Sequence, residues 1–344
     1  MAGNENERLT KNERRQQARE KARLAREKER KRQKRNRLLW QGGIVVVVIA
    51  VVVVVGLVVA NSFKPAGPGP KNMATGGVTL QKDLKVKKTK ALPNDAQRQE
   101  PFKKFDKKPL PVQVFFDFTC PACGNFEQTY GNMLEQYTGS GDIELDLYPI
   151  TFLDAQSQGT KYSSRASNMF GCVVDQQPKY TMSVYQKLFD EKVQPDEGSA
   201  GLTDDELLDQ AKAAGVDTNG DFKSCVKSKQ FMPFFQANTK QVLEKEVLGL
   251  QKGARLQENP QTGKMQPANQ AQRLVSTPLI LVNGKQWVSN EDGDLESYIL
   301  KQLQNADANE SEGKDAKKSD NKKTSDKSDN NSSDSNNNDE KDEQ

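Results

Sequence analysis

The chain has no histidine, only four cysteines among 344 residues, two tryptophans and an aromatic share of 7%. The missing histidine bears first on Cys120-Pro121-Ala122-Cys123, since a Cys-x-x-Cys pair is also half of a zinc site. The other cysteines, Cys172 and Cys225, lie far apart and form no second such pair, so the other half is wanting. No metal and no cofactor is expected. Apolar residues are scarce too: the hydrophobic share is 34% and the mean hydropathy −0.84, part of it spent in one valine-rich run. The length leaves room for two domains, yet much of the chain lacks the apolar content of a core. There is no internal repeat.

The net charge of +4 hides a segregation. Residues 1–37 carry fifteen Lys/Arg against six Asp/Glu, which leaves the rest of the chain acidic. Behind this basic arm, Gly43 to Ala60 is eighteen uncharged residues, extended upstream by Leu38, Leu39 and Trp40. As a helix those eighteen residues span about 27 Å, close to a hydrocarbon core of ~30 Å. A signal peptide would have a shorter apolar run and a clean small-x-small cleavage site, for which Val59-Ala60-Asn61 is a weak match. The expectation is one uncleaved transmembrane helix, residues 38–60. Residues 18–37 hold eleven Lys/Arg and residues 61–80 only Lys64 and Lys71. The arm is thus expected in the cytoplasm, beside the anionic leaflet, and everything after residue 60 outside. A nucleic-acid tail is the competing reading of the arm, and a membrane span directly beside it favours topology.

Beyond the span, residues 61–77 read as a linker and residues 305–344 as a Ser/Asn/Asp/Lys tail too polar to offset its ordering entropy. The folded part is expected over residues 78–304. Its centre is Val112 to Phe126, V-Q-V-F-F-D-F-T-C-P-A-C-G-N-F. The apolar run Val112 to Phe118 predicts a buried strand. Pro121 then suits the first position of a helix, where its missing N–H costs nothing, and Cys120 falls at the helix start. The partial positive charge there favours a thiolate. Cys123 is close enough to close a disulfide with it, so the pair is suited to thiol–disulfide exchange: Cys120 attacks and Cys123 resolves. A structural staple is the blander reading, though so tight a loop is a poor one. Pro121 and Ala122 supply no charge to the thiolate, and Asp117 adds nearby negative charge if ionised.

Downstream, Val78 to Val86 predicts an edge strand and Ile143 to Tyr148 a half-buried one. Helices follow over Ser163 to Asp175, Tyr180 to Glu191, Thr203 to about Gly215, Asp221 to Lys229, and Phe231 to Leu250. Thr203 with Glu206 is a capping-box signal. Residues 251–273 are polar with an Asn-Pro-Gln-Thr-Gly turn. Leu279 to Val282, Asn283-Gly284 and Gln286 to Val288 predict a hairpin, and Glu291 to Gln304 an amphipathic helix. The result is an α/β fold.

F-x-D-F-x-C-P-x-C, a helical block and then T-P-x-x-x-V-N-G together resemble the DsbA-like branch of the thioredoxin superfamily. K-Y-x-x-x-V-Y-Q-K-L-F, L-T-D-D-E-L-L and F-x-x-C strengthen the resemblance, which covers about residues 110–304. It implies a thioredoxin-like fold with an inserted helical domain, about residues 155–250. It also implies a cis Thr277–Pro278 bond beside the cysteines, offering backbone hydrogen bonds to substrate. Two departures stand out: Pro-Ala replaces a dipeptide that carries histidine in the best-known oxidases, and residues 251–273 are longer than the usual link. Four cysteines, all after the span, suit an oxidising compartment, so Cys172 and Cys225 are expected to form a structural disulfide, with two buried free thiols as the alternative. The expected partners are cysteine-containing exported proteins, a membrane redox partner and the lipid bilayer, with no nucleic acid. Three functions compete: an anchored oxidase or isomerase, a reductase fed from the membrane (as in cytochrome maturation), and a non-catalytic envelope scaffold.

Overall fold

A computed structural model describes residues 68–93 and 96–309. The basic arm, the predicted transmembrane helix and the tail beyond residue 309 lie outside the described residues. Among the described residues no helix is long and apolar enough to cross a membrane.

The centre of the domain is a strand–helix–strand unit: β3 (Leu110–Phe116), α1 (Pro121–Ser140) and β4 (Ile143–Pro149). All seven β3 residues are buried, as its near-continuous apolar sequence demands. β3 and β4 pair in parallel, from Leu110 opposite Ile143 to Phe116 opposite Pro149. With β1 (Val78–Gln81), β2 (Lys85–Val86), β7 (Leu279–Val282) and β8 (Lys285–Gln286) they form a six-stranded sheet of order β2-β1-β4-β3-β7-β8. The expected edge strand is therefore divided. β1 pairs with β4 inside the sheet, and of the two pieces only the short β2 is an edge.

Strand alternation sends β3 side chains to two cores. Val112, Val114 and Phe116 join the larger one, with Cys123, Phe126 and Leu134 of α1. Phe115 joins Tyr148, Leu279, Leu281 and Val247 in the other. The larger core continues into the insertion, α2 (Tyr162–Gln176), α3 (Thr181–Leu188), α4 (Asp204–Ala213), α5 (Gly220–Lys227) and α6 (Met232–Glu244). Phe116 stacks edge-on against Phe118, Phe170, Tyr185 and Phe189, with ring centroids 4.9–6.3 Å apart. Such pairs contribute about 0.5–1.5 kcal/mol each beyond burial, and here they bind the insertion to the strand that leads into the cysteine turn.

Local signals set most helix ends. Thr203 and Glu206 form the reciprocal capping box that opens α4. α6 stops at Glu244, six residues before the expected Leu250. Val247 there turns away to donate its N–H to Gln272 and enter the second core. Residues 251–273 form a small hairpin, β5 (Gln257–Asn259) and β6 (Lys264–Met265). It is pinned by buried glutamines: Gln272 Oε1 accepts from Leu256 N–H, and Gln266 Nε2 donates to the Arg273 carbonyl. Asn283 and Gly284 both take positive φ, 53° and 71°, as the two-residue β7–β8 turn requires. The last expected helix is broken at Gly293 (φ 77°), with α7 (Ser289–Asp292) before it and α8, residues 295–309, after.

Both expected boundaries shift outward. Within the expected linker, Gly69 N–H donates to Leu92, Asn72 N–H to Thr89, and Met73 is fully buried, so packing extends back to residue 68. α8 carries regular structure five residues past the expected end at 304.

Candidate active site

β3 runs out at Phe116, and Asp117-Phe118-Thr119 turns the chain into α1. Cys120 is the N-cap in extended conformation (φ −73°, ψ 116°), with Pro121 at the first helical position. Its carbonyl accepts from Cys123 N–H (3.1 Å) and Gly124 N–H (3.2 Å). Both sulfurs of the pair are free thiols, and both are nearly covered: Cys120 is 7% exposed and Cys123 2%. Cys120 is the more exposed of the two, yet it is far less open than a nucleophile at a helix start suggests. Its cover is the loop before β7. The Thr277–Pro278 bond there is cis, and Cys120 Sγ donates to the Thr277 carbonyl at 3.5 Å. Thus Cys120, Cys123, Thr277 and Pro278, up to 158 positions apart in the chain, meet in one place.

The two thiols are pushed in opposite directions. Cys120 is lowered from its ordinary value, foremost by the hydrogen bond from the Cys123 thiol, with help from the Thr277 hydroxyl and the Cys123 N–H. Burial and Asp117 work against this. The Thr277 hydroxyl is buried near the sulfurs, with no partner in bonding geometry. Cys123 is pushed well up, first by burial and then by its own donation to Cys120 and the charge there. A low-lying attacking sulfur beside a high-lying resolving one can open a disulfide in one direction and re-form it in the other.

Asp117 is fully buried, and its carboxyl is a tie rather than a loose charge. It accepts from Thr119 N–H (2.9 Å), Ser163 O–H (2.6 Å) and Leu153 N–H (3.1 Å), joining the cysteine turn to β4's exit and to α2. Burial nonetheless raises it to about 7.

Glu127, one turn past Cys123 on α1, is a group the sequence reading passed over. It is 7% exposed, and neither carboxyl oxygen has a hydrogen-bond partner within bonding geometry, although Tyr185 and Gln186 stand near enough to favour its charged form. Burial wins, raising it to about 7. Gly131 leaves the space for it, since a Cβ there would strike the Glu127 carboxyl. Between its ordinary 4.5 and about 7, the folded chain holds a proton that the unfolded chain gives up, so stability falls as pH rises through that window. Glu127→Gln is therefore expected to stabilise the domain at about pH 8, by roughly 1–3 kcal/mol, and to be neutral near pH 4. Urea unfolding at both pH values tests it, and equal effects at the two would contradict the assignment.

Cys172 and Cys225 lie elsewhere. They are joined by a disulfide between α2 and α5, Cα–Cα 6.1 Å, buried in the insertion. Asn168 clamps the same place, donating to the Val226 carbonyl (3.2 Å) and accepting from Phe231 N–H (2.7 Å).

A family model described as Thioredoxin matches residues 106–251, from just before β3 through the insertion. Among curated proteins, the serine/threonine-protein kinase PknE of Mycobacterium tuberculosis is 33% identical over 122 residues, 35% of this chain. The match spans only 21% of that protein's length, and its Mycobacterium bovis counterpart matches alike. Among solved structures, the chain is similar to reduced DsbA from M. tuberculosis at 20% identity and TM-score 0.43, covering 67% of this chain and 99% of that one. For M. tuberculosis disulfide oxidoreductase DsbG the values are 22%, 0.40, 58% and 85%, and for oxidised BdbD from Bacillus subtilis 20%, 0.42, 70% and 100%. With β3, α1 and β4 forming its parallel strand–helix–strand core and two cysteines at the helix start, this chain contains a thioredoxin-like domain.

Proposed function

We propose that the protein is a membrane-anchored, extracytoplasmic thiol–disulfide oxidoreductase that exchanges disulfides with cysteine-containing exported proteins. The observation that carries the reading is the pair of opposed thiols at the start of α1, one lowered and one raised, under the Thr277–Pro278 loop. In the oxidising direction, a substrate thiolate attacks Cys120 Sγ of the Cys120–Cys123 disulfide. The mixed disulfide forms and Cys123 leaves with the electron pair. A second substrate thiolate then displaces Cys120, so two electrons and two protons pass to the pair. A redox partner in the membrane resets it. Thr277 and Pro278 present the backbone edge against which the substrate chain lies, and Cys172–Cys225 is a permanent staple outside the cycle.

The direction of flow in the cell depends on the reduction potential. Pro121 and Ala122 give the Cys120 thiolate no charge or side-chain donor, and Asp117 opposes it. A less stabilised thiolate makes a weaker oxidant. The potential is expected to fall between the superfamily extremes of about −120 and −270 mV. Equilibration of the full-length chain with glutathione measures it. A value at the oxidising extreme would overturn the electrostatic argument, and failure to equilibrate at all would leave the scaffold reading.

The anchored topology is part of the same proposal and rests on the eleven-to-two charge asymmetry about the apolar run. Protease added to intact spheroplasts is expected to digest the domain from residue 68 onward. Full protection would place it inside.

A further inference from the structure

The loop between α3 and α4 comes from the helical insertion, and one of its side chains reaches the active-site turn. Gln194 Nε2 donates to the Cys120 carbonyl at 2.9 Å and to the Phe118 carbonyl at 3.3 Å. Its other end rests on Gly124, where an added Cβ would strike Gln194 Oε1. Gly124 has no need of a left-handed backbone, so the space is what its missing side chain supplies. The loop itself is tied down. Gln158 donates to the Gly198 carbonyl (2.9 Å), Thr160 to Ala200 (2.6 Å) and Arg165 to Leu202 (2.7 Å).

We propose that Gln194 is a positioning residue for the Cys120 nucleophile, through which the helical insertion fixes the cysteine turn. The inference rests on the exchange reading above. The carbonyl it holds is that of Cys120 itself, the residue that caps the helix and whose Sγ donates to the Thr277 carbonyl. The amide also neutralises the negative ends of two peptide dipoles beside the sulfur. A thiolate next to paired carbonyls is repelled less than one next to bare carbonyls. Without Gln194, the Cys120 carbonyl keeps the N–H groups of Cys123 and Gly124, and the Phe118 carbonyl loses its donor.

Gly124→Ala tests this without touching Gln194. Alanine raises helix propensity, so a merely structural glycine would give a more stable helix and an unchanged thiol. Eviction of the Gln194 amide should instead raise the Cys120 pKa, leaving about tenfold less thiolate at a pH below it. Gln194→Ala should do the same, and the double variant should do no more than either alone. The readout is the pH-dependent thiolate absorbance of the reduced full-length chain in detergent, beside the glutathione equilibrium, expected to shift about tenfold toward the oxidised form. If Gln194→Ala does not fold, Gly124→Ala still decides. A wild-type titration in the folded variants, or shifts that add in the double variant, overturns the proposal. A wild-type chain that titrates normally but never equilibrates with glutathione defeats the functional reading instead, and the thiolate shifts remain a separate measure of the Gln194 contact.

Discussion

Cys120→Ser is expected to abolish exchange, lowering the rate by several orders of magnitude to that of the uncatalysed reaction, while Cys123→Ser keeps the attack of the Cys120 thiolate on a substrate disulfide and accumulates mixed disulfides. The attacking species is a thiolate, and a serine hydroxyl is not ionised at neutral pH. Cys120 is the sulfur that the site lowers, and it lies nearer the surface than Cys123. Cys123 is held protonated by burial and by its donation to Cys120. Once Cys120 enters a mixed disulfide, its charge and its hydrogen-bond demand disappear, and two of the causes that raise Cys123 go with them. Cys123 is then released for its resolving role at the moment it is needed. Reaction with a disulfide-bonded model peptide, with non-reducing gels to catch the trapped adduct, tests both variants. Exchange by Cys120→Ser above background, or a dead Cys123→Ser with no adduct, would reverse the assignment.

Replacing Cys172 and Cys225 together by alanine is expected to cost up to about 4 kcal/mol, from the entropy of the loop the bridge closes in the unfolded chain. The sequence separation is 53 residues. Against a typical domain stability of about 5–15 kcal/mol such a loss is large, and it falls on the insertion, whose α2 also carries Ser163, a donor to Asp117. The denaturation midpoint of the double variant, with the m-value checked for two-state behaviour, measures it. A loss under about 1 kcal/mol would mean that the helices hold without the staple.

Features decided by a few adjacent residues were legible. Pro121 behind Cys120 marks a helix start because proline has no N–H to lose there. Thr203 with Glu206, and Asn283 with Gly284, are self-contained capping and turn chemistry. The cis Thr277–Pro278 bond was reached through resemblance, since nothing local to a Thr-Pro pair fixes its isomer. Residues 251–273 were opaque for the opposite reason. Gln257, Gln266 and Gln272 look like solvated surface, and only their hydrogen bonds, to backbone groups for Gln266 and Gln272 and to the Glu291 carboxylate for Gln257, make them interior. Val247 looked like one more turn of α6 because its periodicity fits a helix, yet the second core, assembled from strands far away in sequence, claims it.

The sequence by itself determined where the paired sulfurs sit, which one opens the helix, and that the chain has no imidazole to place beside them. These follow from residue identity and spacing, which folding does not alter. The tertiary structure alone decided how those sulfurs behave. Asp117 rises to about 7 because it is sealed from water, Cys123 rises first because it is buried and then because Cys120 draws on its proton, Glu127 rises to about 7 because burial outweighs the groups near it, and Gln194 arrives from a separate helical block. Each depends on desolvation or on a contact across a long stretch of chain, and neither leaves a mark in the local order of residues.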